Sequence, residues 1–258
     1  MGLDRLHGVA LPVLAGTTPM PSVSFRDRRA GPDPGMPRAP DAGRLQAAPR
    51  GWCRSGVNVW LVRHGETEWS ATGRHTGRTD VPLLERGAAE ARAAGRWLTR
   101  VVPDPVLVLT SPLSRAGETC RLAGFGDLAE TCRDLAEWDY GDYEGETTEQ
   151  IQAARPGWTL WSEGVPGGES AADVGRRADR VIERARGAGG DVVLFSHGHF
   201  LRVLAARWVG LPPAGGRLLF LGPGAVCALG WEHGAPVVAR WNVLVEPPGA
   251  SGADPDPP

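Results

Sequence analysis

Three short, nearly continuous apolar runs set the tightest limit on how this chain can fold. Residues 57–62 (VNVWLV), 106–110 (VLVLT) and 191–196 (DVVLFS) are rich in β-branched side chains and lack the polar alternation of a strand with one wet face. Strands of that kind are buried on both faces, which implies a parallel sheet covered by helices. The intervening sequence agrees. Leu84, Ala88, Ala91, Gly95 and Leu98 recur at helical spacing, and so do Val174, Ala178, Val181, Ile182 and Ala185. Ser170 with Asp173 reads as a capping box opening the second of these helices, and Gly189-Gly190 closes it. The expected fold class is α/β, a three-layer α/β/α sandwich with a mostly parallel central sheet. Residues 226–231 and 236–245 add two strands that the Glu232-His233-Gly234 turn would join as a hairpin.

Composition bounds the domain. The 36 Gly and 23 Pro of this 258-residue chain are unevenly spread. Residues 1–56 hold 8 Pro, 8 Gly and 8 Arg without apolar periodicity, so burial there cannot offset the entropy of ordering. A disordered tail or a mis-assigned start codon accounts for that segment equally well. Residues 247–258, with 5 Pro, are expected to be disordered too, which leaves residues 57–246 as one domain of 190 residues. With 28 basic residues against 30 acidic ones, the chain lacks the cationic footprint of a nucleic-acid binder. No apolar run approaches the roughly 18 residues that would span a membrane. The scattered Cys53, Cys120, Cys132 and Cys227 form no C-x-x-C pair, and no secretory signal precedes them, so reduced thiols and a cytoplasmic location are expected.

In an open α/β sheet, ligands bind beyond the carboxyl ends of the strands. The first run ends in Arg63-His64-Gly65-Glu66-Thr67, and the second is followed by Ser111-Pro112-Leu113-Ser114-Arg115-Ala116-Gly117-Glu118-Thr119. A further short extended stretch carries Leu135-Ala136-Glu137-Trp138, and the last parallel strand ends in Ser196-His197-Gly198-His199. Taken singly, the arginines read as surface residues and the histidines as core residues. Gathered at one edge, two Arg, two or three His and a Glu can bind a dianion and move protons.

In this order the four elements resemble the histidine phosphatase superfamily, in its phosphoglycerate-mutase-like branch, over nearly the whole domain. Residues 69–77 and 136–145 look most like its acid-phosphatase and sugar-phosphatase members. The resemblance implies a phosphomonoesterase acting on a small phosphorylated metabolite through a phosphohistidine on His64. Arg63, Arg115 and a cationic His197 would hold the phosphoryl oxygens. Glu137 would protonate the leaving oxygen, a role that asks for an apolar neighbour such as Trp138. Ser70, His75, Thr76, Gly77 and His199 would contact substrate, and Ser111 would add a donor. No cofactor and no metal are implied. Homodimers are common in such enzymes, although no residue here specifies an interface.

Other functions compete. A phosphoglycerate mutase would commonly have Asn at Ser70 and paired basic residues after Glu137, where Arg155 is the one basic residue before Gly168. A metal-dependent hydrolase built on His64, His197, His199 and a carboxylate would set a cation beside two arginines. A phospho-ligand sensor would bind without turnover. Glu66, Glu118 and Glu144 are alternative acids. Arg202 reads as a structural tether, His233 as solvated, and Trp60, Trp97, Trp158 and Trp161 as packing.

Overall fold

Strand pairing brings the predicted motifs to a common edge. The computed structural model describes residues 57–245, and the expectations for both tails and Cys53 lie outside them. Six strands, β1 (Val59–Arg63), β2 (Leu107–Thr110), β3 (Ala129–Thr131), β4 (Val192–Ser196), β5 (Val226–Glu232) and β6 (Ala235–Val243), form one sheet in the order β3-β2-β4-β1-β5-β6. The first four run parallel, while β5 lies antiparallel to β1 and forms the expected hairpin with β6. Because Val59 pairs with Val192 and Arg63 with Ser196, β1 and β4 deliver His64 and His197 at the same level.

Alternation along the strands separates two cores. Val59, Leu61, Leu109, Val192 and Leu194 point into one, and Trp60, Val62, Val108, Val193 and Phe195 into the other. The described residues form seven α-helices: α1 (Glu68–Ala71), α2 (Glu85–Val101), α3 (Ser114–Leu122), α4 (Thr148–Ala154), α5 (Leu160–Glu163), α6 (Ala171–Arg186) and α7 (Gly198–Trp208). Trp97 and Leu98 of α2 and Cys120 of α3 pack on the second core, whereas Val174 and Val181 of α6 and Leu201 and Leu204 of α7 pack on the first. This is the three-layer arrangement the apolar runs implied. Among the described residues, no helix is long and apolar enough to cross a membrane.

Local signals explain where α6 starts. The Ser170 hydroxyl accepts the Asp173 N–H, and the Asp173 carboxylate accepts the Ser170 N–H, so two groups that an open helix end leaves unpaired satisfy each other. Three details differ from expectation. Leu84 is the exposed N-cap of α2 rather than part of its buried face. The stretch 135–138 is not extended, because a 3-10 turn at Arg133–Leu135 leads into a loop and the extra edge strand, β3, comes earlier. The α6 helix ends at Arg186, before the glycine pair.

Candidate active site

His64 is held by backbone on every side. Its N–H donates to Ser196 O (2.9 Å), and its C=O accepts the Gly224 N–H (3.0 Å). A Cβ on Gly65 would lie 2.1 Å from Gly87 O, and one on Gly87 would lie 2.2 Å from Glu66 O, so the first turn of α2 meets this loop backbone to backbone. The ring is fixed as well. Nδ1 lies 2.8 Å from Gly65 O, and since a carbonyl can only accept, Nδ1 carries the proton and Nε2 the lone pair. Burial, then Arg63 and Arg115, push the pKa of this imidazole well below its usual value, which favours the neutral ring.

Among the described residues, three buried side-chain nitrogens near this ring have no partner. Arg63 Nε, Arg115 Nε and His197 Nδ1 make no hydrogen bond, an expensive state for buried polar atoms. Other atoms of these groups are engaged. Arg115, fully buried, donates to the carbonyls of Thr76 (2.9 Å), Gly77 (3.1 Å) and Thr79 (2.9 Å), and Arg63 Nη1 donates to Leu221 O. Burial lowers the pKa of both guanidinium groups, so an anion placed between them would offset their desolvation. The His64 and His197 rings are 5.2 Å apart.

The expected cationic His197 is corrected here. Burial, then Arg115, His64 and Arg63, push its pKa well below the usual value, and the imidazole is neutral. Its Nε2 lies 2.7 Å from Ser111 Oγ, which also accepts the Leu113 N–H (3.2 Å). If the Ser111 hydroxyl donates to Nε2, the proton of neutral His197 sits on the unpartnered Nδ1. Ser111 is therefore engaged with His197 rather than standing as an independent phosphate donor.

Glu137, 8% exposed, lines a cavity that Arg63 and His64 also line. Its Oε1 accepts the N–H groups of Trp138 (2.8 Å) and Phe200 (2.9 Å), and Oε2 accepts that of His199 (3.1 Å). The carboxylate thus caps α7, whose own N-cap, His197, makes no side-chain cap bond. The apolar setting expected beside Trp138 is replaced by backbone amides, since the indole turns away and donates to Glu169 O (2.8 Å). Of the rival carboxylates, Glu118 pairs with Arg121 on the surface and Glu144 accepts the Gly77 and Thr79 N–H groups. Glu137 alone among the four candidates lines the cavity.

The cavity has a volume of about 190 Å³, below the roughly 300–1,000 Å³ of sites for drug-sized ligands. Its lining includes Arg63, His64, Ser70, His75, Thr76 and His199. Ser70 spends its hydroxyl on a capping box, donating to Thr67 O (3.0 Å) and accepting the Thr67 N–H (2.8 Å). Thr76 Oγ1 donates to Arg74 O, and Gly77 stands behind Arg115 rather than in the lining. His75 Nδ1 donates to Glu146 O (2.9 Å), and His199 shares a 2.6 Å hydrogen bond with the Tyr140 hydroxyl. Tyr140, Arg74 and Arg202 also line the cavity. The sequence reading missed the first two and took Arg202 as a tether only. Among the described residues, no group of three or more His, Cys, Asp or Glu side chains is arranged to hold a metal ion.

Four histidines therefore sit with lowered pKa values, each chiefly through burial: His64, His75, His197 and His199. At a pH between the folded value and the ordinary 6.5, the unfolded chain binds protons that the folded chain does not. Their contribution to stability is fully present above pH 6.5 and is lost as pH falls through the folded values. Thermal melts from about pH 8 down to about pH 5 are expected to show a histidine contribution that steepens below 6.5, by up to about 1.4 kcal/mol per pH unit per histidine. A melting temperature insensitive to acid in that range would contradict the buried neutral set.

Comparison with known proteins decides the family. A family model of the histidine phosphatase superfamily (branch 1) matches residues 59–244. The chain belongs to that superfamily. This histidine phosphatase is 43% identical over 189 residues to an acid phosphatase of Mycobacterium tuberculosis, covering 72% of the present chain and 93% of the relative. It is 36% identical over 182 residues to sedoheptulose 1,7-bisphosphatase of Saccharomyces cerevisiae, covering 58% and 67%. Among solved structures, an open-reading-frame product of M. tuberculosis superposes with a TM-score of 0.71 at 42% identity, over 73% of this chain and 98% of that one. Phosphoglycerate mutases match at 37–39% identity over 56–70% of the chain.

Proposed function

We propose that this histidine phosphatase is a phosphomonoesterase that hydrolyses small phosphorylated metabolites through a phosphohistidine on His64. The observation that carries the reading is the trio of unpartnered buried donors, Arg63 Nε, Arg115 Nε and His197 Nδ1, beside a neutral ring whose tautomer leaves Nε2 free. A phosphoryl group would satisfy all three donors at once. In the first step His64 Nε2 bonds to phosphorus as the ester P–O bond breaks, and the leaving oxygen takes the proton of Glu137. In the second, water attacks phosphorus, Glu137 takes its proton, the P–N bond breaks, and inorganic phosphate leaves with His64 neutral again. The guanidinium groups meet the charge on the equatorial oxygens.

The mutase alternative is the weaker one, since the most similar relatives named above are an acid phosphatase and a sugar bisphosphatase. The reading includes a cytoplasmic location and no nucleic-acid or membrane partner, the former of these absences supported by the near balance of basic and acidic residues. Inorganic phosphate is expected from p-nitrophenyl phosphate, sugar phosphates and 3-phosphoglycerate with a chelator present. Conversion of 3-phosphoglycerate mainly to 2-phosphoglycerate, or no phosphate from any ester, would overturn it.

A further inference from the structure

Arg115 is a buried cation that no carboxylate touches among the described residues. It belongs to none of their ion pairs, and it spends its Nη atoms on the carbonyls of Thr76, Gly77 and Thr79. A negative charge stands one peptide away. Glu144 Oε1 and Oε2 accept the Gly77 N–H (2.9 and 3.0 Å), and Oε1 also accepts the Thr79 N–H (3.0 Å). We infer that Glu144 is a positioning residue for the phosphoryl site, acting on Arg115 through the Thr76–Gly77 peptide so that the free Nε is aimed at the phosphoryl group. This rests on the phosphatase reading above and adds to it a residue that touches neither the substrate nor the reacting atoms.

A single peptide unit is shared by both partners. Its N–H, on Gly77, donates to the Glu144 carboxylate, and its C=O, on Thr76, accepts from Arg115 Nη2 at 2.9 Å. An anion on the N–H of an amide polarises the C=O, which strengthens the bond that the guanidinium donates to it. The charge of Glu144 also favours the cationic form of Arg115. Direct contact would not serve as well. A carboxylate bonded to the fork itself would occupy its donors and offset the charge that a phosphoryl group needs. The relay requires glycine at position 77, because a Cβ there would lie 2.7 Å from both Glu144 Oε2 and Trp138 O. The two residues after Glu144 are fixed to the same loop, Gly145 N–H donating to His75 O and His75 N–H to Glu146 O, both at 2.9 Å. An anchor for the loop would need the N–H contacts alone. Here the same peptide also bears on a guanidinium whose Nε is left unpartnered, which gives the anchor a part in phosphoryl binding.

A double-mutant comparison tests this. The kcat/KM for p-nitrophenyl phosphate is measured in wild type, Glu144→Gln, Arg115→Met and the double variant, with calorimetric binding of orthovanadate, a mimic of the transferring phosphoryl group, as a second reading that needs no turnover. Glutamine keeps the length of the side chain but loses the charge, and only one of its two ends can accept an N–H. Beside Arg115, Glu144→Gln is expected to lower kcat/KM by about tenfold or more and to weaken vanadate binding by a similar factor. In the Arg115→Met background, where no fork remains to be aimed, the same change is expected to alter both by less than about twofold. A purely structural loss of the loop would instead cost the same factor in both backgrounds. Should Glu144→Gln not fold, Glu144→Asp, which keeps the charge but is one methylene shorter, carries the same comparison, with an expected loss of about threefold or more beside Arg115. Unchanged rate and vanadate binding in the Glu144 variant, or equal losses in both backgrounds, overturn the inference and leave the phosphatase reading intact. No release by wild type from p-nitrophenyl phosphate or any other ester overturns both.

Discussion

Replacing His64 with Ala is expected to lower phosphate release by about 10⁴-fold or more. The structure gives the reason. In the proposed reaction the attacking lone pair is that of Nε2, because Nδ1 is committed to Gly65 O, and neither His75 nor His199 sits on the strand end that brings His64 beside His197. The arginine cradle would remain in the variant, so the residual rate reflects oriented water attack rather than zero. Rapid quenching of wild type with a ³²P-labelled ester, followed by alkaline workup, is expected to show base-stable, acid-labile label on the protein. His64→Ala should carry none. Label that survives in the variant, or activity within a hundredth of wild type, would place the nucleophile elsewhere.

The second large effect belongs to Glu137→Gln, whose consequence is expected to depend on the leaving group. For a sugar phosphate, loss of the acid should cost about 10²- to 10⁴-fold in kcat/KM. For p-nitrophenyl phosphate, whose phenolate leaves without a proton, the loss should be much smaller. The same change also touches the fold. A glutamine oxygen can still accept the Trp138 and Phe200 N–H groups, but its amide nitrogen would then face the donor of His199. That mismatch is expected to cost about 1–3 kcal/mol in thermal or urea unfolding. An equal fall in rate on both substrates would reduce Glu137 to a cap of α7.

The parts of this molecule legible in its sequence are those where local pattern and tertiary role coincide. The two-faced burial of β1, β2 and β4 shows in their unbroken apolar runs, and the α6 capping box shows in Ser170 and Asp173. The motifs that follow β1, β2 and β4 meet at one edge of the sheet because parallel register makes sequence ends into spatial neighbours. Between residues 126 and 163 the elements are too short for a period to appear, and the extended stretch expected at Glu137 is a 3-10 turn and loop. The neutrality of His197 and the engagement of Ser111 follow from burial and from a contact across 86 residues, which no local pattern encodes. Arg202 was hidden for a similar reason. Its surroundings come from α5, the loop after α7 and the cavity itself, so only the assembled fold shows that a tether also forms part of a wall.

The contact between Gly65 and Gly87 has a consequence for changing this enzyme. Two peptide backbones bear directly on each other there, with no side chain between them to be lengthened, shortened or rotated. The height of the imidazole above the sheet is set by a joint with no adjustable part. Engineering of new specificity therefore has little purchase on the α2 side of His64. It has more freedom where His75, Thr148, Arg74 and Arg202 line the cavity. A directed library confined to those four positions would sample substrate shape while the reacting centre keeps its alignment.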